Sequence, residues 1–147
     1  MTPVIRIKRL RNHRLPLPSY QTDGASGMDL MADVEASFTL APGSRVAIPT
    51  GFAFEIPPGY EGQVRPRSGL AFRSGLTVIN APGTIDSDYR GELKVLLVNL
   101  SQDTIEVHPG DRVAQLVIAP VTHAKLEEAG ELAETARGPG GFGHTGR

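Results

Sequence analysis

The chain of 147 residues contains no cysteine. A disulfide framework, a thiolate metal site and catalysis by a cysteine are therefore all excluded. No apolar run approaches the ~20 residues that a transmembrane helix requires, so we expect no membrane partner. The start of the chain is basic but has no apolar segment of signal-peptide length, and we interpret it as part of the folded structure. These absences favour a cytoplasmic protein.

Charge of one sign is not in excess either. The 15 basic and 16 acidic residues nearly cancel, and the formal net charge is -1. Such a balance provides no overall field that would attract a nucleic acid or a membrane surface. We therefore expect no nucleic-acid partner, and any site for an anion has to be local.

Turn-forming residues, by contrast, are abundant. The 17 glycines and 12 prolines divide the chain into short segments that have the composition of strands. The length suits a single domain with one core. The pattern predicts an antiparallel all-β fold of the sandwich, barrel or jelly-roll type. The predicted strands are residues 4–9, 28–32, 36–40, 45–49, 52–56, 61–65, 77–78, 91–99, 105–107 and 112–121.

Two segments depart from the strand pattern. A short helix is predicted after Pro66, with Ser68 as its N-cap. Residues 124–137 also have a helix-forming composition, although Gly130 interrupts them. The glycine-rich tail that follows cannot pack a core, so it is either a disordered end or a lid.

Several polar residues are candidates for binding phosphates. In RPRSGL, the hydroxyl of Ser68 and the first N–H groups of a helix would lie beside Arg65 and Arg67, which suits phosphate oxygens. An ordinary capped turn with two surface arginines is the alternative. Gln115 in GDRVAQL can donate to a phosphate or merely face solvent.

A metal ion and a planar base have candidate ligands as well. Asp29 stands beside a predicted strand, where a carboxylate can hold magnesium through water or form a turn with its own backbone. Phe142 is flanked by glycines that let a ligand approach closely, and its ring can stack on a base. An exposed aromatic residue on a mobile terminus is the alternative.

The stretch NAPGTIDSDYRGE predicts a hairpin that carries two carboxylates. Period-2 alternation places Asp86 and Asp88 on one face, and Ile85, Ser87 and Tyr89 on the other. A carboxylate in such a place is suited to take a proton from water. Taken singly, each acid is also what a solvated turn contains.

In this order, five segments resemble the five sequence motifs of the trimeric dUTPase family. Each is weak alone, but together they cover the chain from about Leu15 to Gly146. They are GASGMDLMAD, RPRSGLAFRSGL, NAPGTIDSDYRGE, GDRVAQL and RGPGGFGHTG.

The resemblance implies a fold and an activity. The fold would be a distorted β jelly roll (a β-clip barrel) with one short helix and a mobile C-terminal tail. Residues 1–136 would form the catalytic domain and residues 137–147 a lid arm, with the stretch before the arm extended rather than helical. The chain would assemble as a homotrimer whose sites draw residues from three subunits. It would cleave dUTP to dUMP and diphosphate with Mg²⁺, by attack of a water on the α-phosphorus.

The resemblance also implies a role for each site residue. Asp86 would activate the attacking water, Asp88 would have no catalytic role, and Asp29 would support the metal through water. Tyr89 would pack beneath the deoxyribose and leave no space for a 2'-hydroxyl. The residues that would bind substrate are Arg67, Ser68, Gly69, Asn80, Gly83, Thr84, Ile85, Tyr89, Gln115, Arg137, Phe142 and Gly143.

Two alternative functions are compatible with the same jelly-roll fold. A dCTP deaminase shares the fold and the trimer, but it carries a glutamate ten residues after the aspartate, and here that position is Leu96. A catalytically idle jelly-roll protein would keep affinity for nucleotides. Loss of Asp86, Ser68 or Phe142 would favour it, and the sequence retains all three.

Overall fold

The structure is a computed structural model that describes residues 2–147. Its regular elements lie between residues 6 and 120, and they comprise ten short strands and one helix. In chain order they are β1 (Arg6–Arg9), β2 (Met28–Met31), β3 (Phe38–Leu40), β4 (Arg45–Glu55), β5 (Tyr60–Arg65), α1 (Ser68–Ser74), β6 (Leu76–Val78), β7 (Gly83–Ile85), β8 (Glu92–Asn99), β9 (Ile105–Val107) and β10 (Arg112–Pro120). The predicted all-β class with one short helix is confirmed.

The strands form three sheets, and every pairing is antiparallel. Two sheets have four strands each, in the orders β1-β4-β8-β6 and β2-β10-β5-β7, and β3 pairs with β9. The buried apolar cluster draws on both four-stranded sheets, with Ile48 and Leu97 from one and Leu30 and Leu116 from the other. The architecture is of the jelly-roll type. Within residues 2–147, no helix combines the length and apolar character needed to cross a membrane.

Strand β4 differs from its prediction. The sequence predicts two strands, at residues 45–49 and 52–56, but one strand runs through both as far as Glu55. The pairing of β4 with β8 shifts register between Pro49 and Ala53, and Gly51 within this bulge has φ +77°. Thr50 donates its hydroxyl hydrogen to Leu93 O at 2.6 Å, so the bulge remains attached to β8.

The start of α1 also differs. The sequence predicts Ser68 as the N-cap, but Ser68 is the first helical residue, and Arg67 is the N-cap with an extended backbone. The carbonyl of Arg67 accepts the first helical bond, from Ala71 N at 3.0 Å. No side chain caps the N-terminus of the helix, so the hydroxyl of Ser68 is not engaged in capping.

The hairpin predicted within residues 80–92 is not formed, because β7 pairs with β5 whereas β8 pairs with β4 and β6. The predicted alternation of its acids is wrong as well. Strand β7 ends at Ile85, and a turn closed by Tyr89 N donating to Asp86 O at 3.2 Å follows it. Asp86 and Asp88 therefore do not share a strand face, because both lie in this turn.

Residues 121–147 contain neither a helix nor a strand. The helix that composition favours for residues 124–137 is therefore wrong. The extended form implied by the resemblance stays a prediction. Leu126 and Leu132 are 93% and 88% exposed, so no apolar stripe is packed against the rest of the chain to hold a helix.

Candidate active site

Four side chains converge at one corner of the second sheet, and we refer to Asp29, Arg67, Arg112 and Gln115 as the Asp29 cluster. Asp29 on β2 is the register partner of Gln115 on β10, which places their side chains beside each other. Arg67 follows β5, the other neighbour of β10. Gln115 donates from Nε2 to the carbonyl of Pro66 at 3.2 Å, so it lies against the segment that leads into α1.

The Asp29 cluster is positively charged. Arg67 Nε lies 3.2 Å from Asp29 Oδ1, and Arg112 Nη1 lies 3.9 Å from Asp29 Oδ2. Arg67 also donates to the carbonyl of Arg112 at 3.3 Å. Two guanidinium groups thus share one carboxylate whose side chain is only 15% exposed. The corner can accept an anion, although the chain as a whole has a net charge of -1.

Ser68 and Gly69 lie next to this cluster, at the start of α1. The side chain of Ser68 is exposed, and its hydroxyl remains free for a ligand. Arg65, the second arginine of RPRSGL, instead donates from Nε to Gln63 Oε1 at 3.1 Å. Of the two arginines proposed as phosphate ligands, only Arg67 joins the cluster.

Strand β7 and the turn before it lie at an edge of the same sheet. Strand β7, which comprises Gly83, Thr84 and Ile85, pairs only with β5, and its other side is the end of the sheet order. Asn80 lies exposed in the turn that precedes β7. The free edge of β7 offers backbone N–H and C=O groups to a ligand.

Asp86 and Tyr89 flank the turn that follows β7. Asp86 is exposed and lines a groove of about 540 Å³ together with Thr84, Ser87 and Asp88. Tyr89 is 44% exposed, and its hydroxyl donates to the carbonyl of Glu92 at 2.8 Å. The turn therefore has an exposed carboxylate at its start and a partly exposed aromatic residue at its end.

Asp86 and the Asp29 cluster are far apart within one chain. Asp86 follows Ile85, which pairs with Gly62, whereas the cluster is level with Arg65 at the other end of β5. Asp29 and Asp86 also lie on opposite edges of the sheet, and three interstrand spacings amount to about 14 Å. A single chain does not bring its predicted base and its predicted phosphate ligands together.

The predicted residues of the tail are separate as well. Arg137, Phe142 and Gly143 are exposed. Arg137 donates only within the tail, to Gly140 O at 2.8 Å. Within residues 2–147, no hydrogen bond or ion pair that we find joins residues 124–147 to the folded body.

The sequence interpretation missed two residues at these places. Arg112 stands three residues before Gln115 in GDRVAQL and contributes a second guanidinium beside Asp29. The backbone carbonyl of Glu92 accepts a hydrogen bond from the hydroxyl of Tyr89. The position of Arg112 in a segment already singled out was a usable signal, whereas nothing local indicates the role of Glu92.

The part of the chain that the structure describes contains no group of three or more histidine, aspartate or glutamate side chains that could hold a metal ion. Asp29 is a single carboxylate beside cationic groups. This donor set suits an ion whose remaining ligands come from phosphates and water, which is how Mg²⁺ usually binds beside nucleotides.

Comparison with known proteins relates the chain to one family. A family model described as dUTPase matches residues 13–146. A deoxyuridine 5'-triphosphate nucleotidohydrolase of Rhizobium etli (strain CFN 42) is 58% identical over 147 residues, and the alignment covers 98% of this chain and 94% of that protein.

Solved structures give the same result. A dUTPase mutant of Staphylococcus bacteriophage 80alpha with dUpNHpp aligns with a TM-score of 0.88 and 25% identity, over 99% of this chain and 100% of that one. A mutant dUTPase from phage phi11 of S. aureus, described for the coordination of a structural Mg(II) ion, has a TM-score of 0.77 and 23% identity, over 87% and 97% of the two chains.

Proposed function

The chain belongs to the dUTPase family and is a dUTP hydrolase, and from that premise we propose how its residues cleave dUTP to dUMP and diphosphate. Asp86 activates a water for attack on the α-phosphorus, and the Asp29 cluster holds the phosphates. The cluster is the observation that carries the proposal. It gathers the donors of Arg112 and Gln115 on β10 and of Arg67 at the start of α1 at one corner, where they can bind an anion.

The free edge of β7 recognises the uracil base. Uracil presents an acceptor, a donor and an acceptor, and the backbone of Gly83 to Ile85 can pair with that order of groups as a strand edge pairs with another strand. Cytosine presents the wrong order and leaves backbone groups unpaired. Asn80, in the turn before β7, closes the end of this edge. The close fit of the base against the β7 backbone excludes the methyl group of thymine.

Tyr89 distinguishes deoxyribose from ribose. Tyr89 lies three residues after Asp86, its ring covers Gly91, and it is partly exposed, so a deoxyribose can pack on it. A 2'-hydroxyl would have to enter the space that the ring fills. UTP is then a poor substrate because of steric exclusion at this position.

The chemical step is an in-line displacement. The water oxygen bonds to the α-phosphorus, its proton passes to the carboxylate of Asp86, and the bond from the α-phosphorus to the bridging oxygen breaks. Diphosphate leaves with the electron pair of that bond. Arg67, Gln115, the hydroxyl of Ser68 and the backbone at Gly69 stabilise the charge on the phosphate oxygens.

Magnesium fits this arrangement as an ion carried mainly by the substrate phosphates. Asp29 would support it through water. When bound, Mg²⁺ would neutralise phosphate charge and orient the leaving diphosphate.

The separation of Asp86 from the Asp29 cluster supports a homotrimer in which each site takes Asp86 from one copy and the cluster from another. Residues 137–147 then form a lid arm on the catalytic domain of residues 1–136. The arm that closes each site comes from the third copy. Arg137 contacts the phosphates, and Phe142 stacks on the base above Gly143. The proposal keeps the cytoplasmic location that the sequence favours.

The decisive experiment is incubation of the protein with dUTP, dCTP, UTP or dTTP in the presence of Mg²⁺, followed by identification of the products. We expect dUMP and diphosphate from dUTP and little turnover of the other three. Release of ammonia from dCTP would indicate a deaminase, and binding of dUTP without any product would indicate an idle binding protein. The deaminase has no structural support, since Leu96 on β8 offers no carboxylate.

A further inference from the structure

The orientation of the Tyr89 ring depends on a single side-chain hydrogen bond. Its hydroxyl donates to Glu92 O at 2.8 Å, and Tyr89 is not among the residues packed in the core. A Cβ atom at position 91 would collide with the hydroxyl and the ring, so the ring lies directly over Gly91. Because Tyr89 is 44% exposed, little packing restrains it apart from this contact.

The acceptor for Tyr89 is itself fixed through the side chain of Glu92. Glu92 Oε1 accepts from Gly51 N at 3.0 Å, and Arg11 Nη1 donates to Glu92 Oε2 at 3.1 Å. A second Arg11 nitrogen, Nη2, donates to Glu92 Oε1. The Glu92 side chain is only 13% exposed, so both of its oxygens are engaged in a sheltered place.

Arg11 is held in turn by Asp33. Nη2 of Arg11 lies 2.7 Å from Asp33 Oδ2, and Nε lies 3.1 Å from the same oxygen. One guanidinium thus joins two carboxylates that are 59 positions apart in the chain. We refer to Arg11, Asp33, Gly51 and Glu92 as the β8 clamp, because together they fix the residue at which β8 begins.

We propose that the β8 clamp positions Tyr89, and that Arg11 and Glu92 thereby contribute to the discrimination between deoxyribose and ribose. The inference rests on the proposed role of Tyr89 and adds two residues that act through Tyr89. Without the clamp, the start of β8 and its carbonyl at Glu92 shift, the hydroxyl of Tyr89 loses its fixed acceptor, and the ring moves away from the space for a 2'-hydroxyl. A ribonucleotide then meets less obstruction.

The test compares two glutamate variants that each break an ion pair with an arginine of the N-terminal segment. Glu92→Gln breaks the pair inside the clamp, and Glu55→Gln breaks the exposed pair with Arg6 on the neighbouring strand. We expect the ratio of kcat/KM for dUTP to kcat/KM for UTP to fall about fivefold in Glu92→Gln, on the scale of one hydrogen bond. The ratio stays at the wild-type value in Glu55→Gln.

A second comparison tests whether the effect passes through the hydroxyl of Tyr89. Tyr89→Phe removes only that hydroxyl, and we expect it to lower the same ratio by a similar factor. The double variant Tyr89→Phe/Glu92→Gln should then be no worse than either single variant, because both remove one common restraint. Multiplication of the two effects would overturn the inference, since the clamp would then act by another route.

Failure of this inference is distinguishable from failure of the proposed function. If the wild-type protein does not hydrolyse dUTP, the proposed function fails. If it does, and Glu92→Gln keeps the wild-type ratio, only the positioning role of the clamp is overturned. Arg11→Lys provides a second variant in case Glu92→Gln does not fold, since it keeps the charge and removes the bidentate contact. An unchanged ratio in Arg11→Lys would also count against the inference.

Discussion

The carboxylate of Asp86 contributes little to the stability of the fold. It is exposed and lies in a turn, and no side-chain hydrogen bond to it is found among residues 2–147. A side chain that is not needed for stability and yet lies next to a free strand edge is well placed to serve a ligand. Asp88, two residues later in the same turn, shares the exposure but has no proposed role.

This pair of acids permits a matched comparison. We expect Asp86→Asn to lower kcat by a factor of about 10² to 10⁴, the usual contribution of a general base, and to leave the affinity for dUTP nearly unchanged. Asp88→Asn should keep wild-type kcat. Steady-state kinetics and equilibrium binding of dUTP check both variants. An Asp86→Asn enzyme with wild-type kcat would remove Asp86 as the base.

Glu92 links the folded state to pH. The hydrogen bond from Arg11 lowers the pKa of Glu92 below its ordinary value, the backbone N–H of Gly51 lowers it further, and partial burial opposes both effects. A carboxylate with a lowered pKa stabilises the fold above its unfolded pKa of about 4.3, and this stability is lost as the pH falls through the folded pKa.

We therefore expect the difference in free energy of unfolding between the wild type and Glu92→Gln to be constant from about pH 8 to pH 5. Below about pH 4.3 the difference should shrink, because a protonated Glu92 and the glutamine of the variant both lack the charge that attracts Arg11. Denaturant unfolding at a series of pH values measures this difference. A difference that widens on acidification would contradict the expectation.

At the scale of elements, the local signals of the sequence are good guides to the strands. The turns at Pro42–Gly43 and Pro109–Gly110 separate strands as expected, because proline and glycine fix the turn geometry whatever the tertiary context. Strand β9 begins and ends at its predicted residues, 105 and 107.

The misses arise from contacts between distant parts of the chain. Pro49 and Gly51 indicate a break in β4, yet the hydroxyl of Thr50 bonds to Leu93, 43 residues later, and keeps the strand continuous. Arg11 and Glu92 are 81 residues apart, so no local sequence pattern predicts their ion pair. The Asp29 cluster depends on strand register, which only the folded sheets reveal.

The C-terminal arm is an element whose removal can be tested. A chain that ends at residue 136 should unfold at the same temperature as the full chain, because residues 137–147 make no hydrogen bond or ion pair that we find with residues 2–120. Its kcat/KM for dUTP should fall by about 10- to 100-fold, the loss expected when a charged hydrogen bond from Arg137 to phosphate is removed. A chain that ends at Gly143 is the matched control and should retain activity. Equal activity of both truncated chains would contradict the lid.

At the scale of the whole molecule, the roles proposed for Asp86 and Asp29 would require more than one copy of the chain to complete a site. Asp86 follows β7 at one edge, and Asp29 lies on β2 at the other. A cyclic trimer with head-to-tail contacts would place unlike edges of neighbouring copies together and so form three equal sites.

Mixing of two inactive variants tests this arrangement. Asp86→Asn and Arg67→Gln each disable one half of the site, and each protein alone should show little activity. When equal amounts are unfolded together and refolded, about a quarter of the sites should combine a wild-type Asp86 with a wild-type Arg67 from different copies. Activity should recover to about that fraction of the wild type. No recovery would show that both residues act from the same copy.

The end of the last strand at Pro120 separates two kinds of constraint on the sequence. Up to that point, most replacements alter packing, ladder bonds or the pairing of charges, and so affect folding first. Beyond residue 123, the hydrogen bonds within one copy, such as that from Arg137 Nε to Gly140 O, stay inside the tail and do not reach the folded body. With the proposed lid role, replacements in the arm would change its contacts with the nucleotide and with neighbouring copies before they change the fold of their own chain.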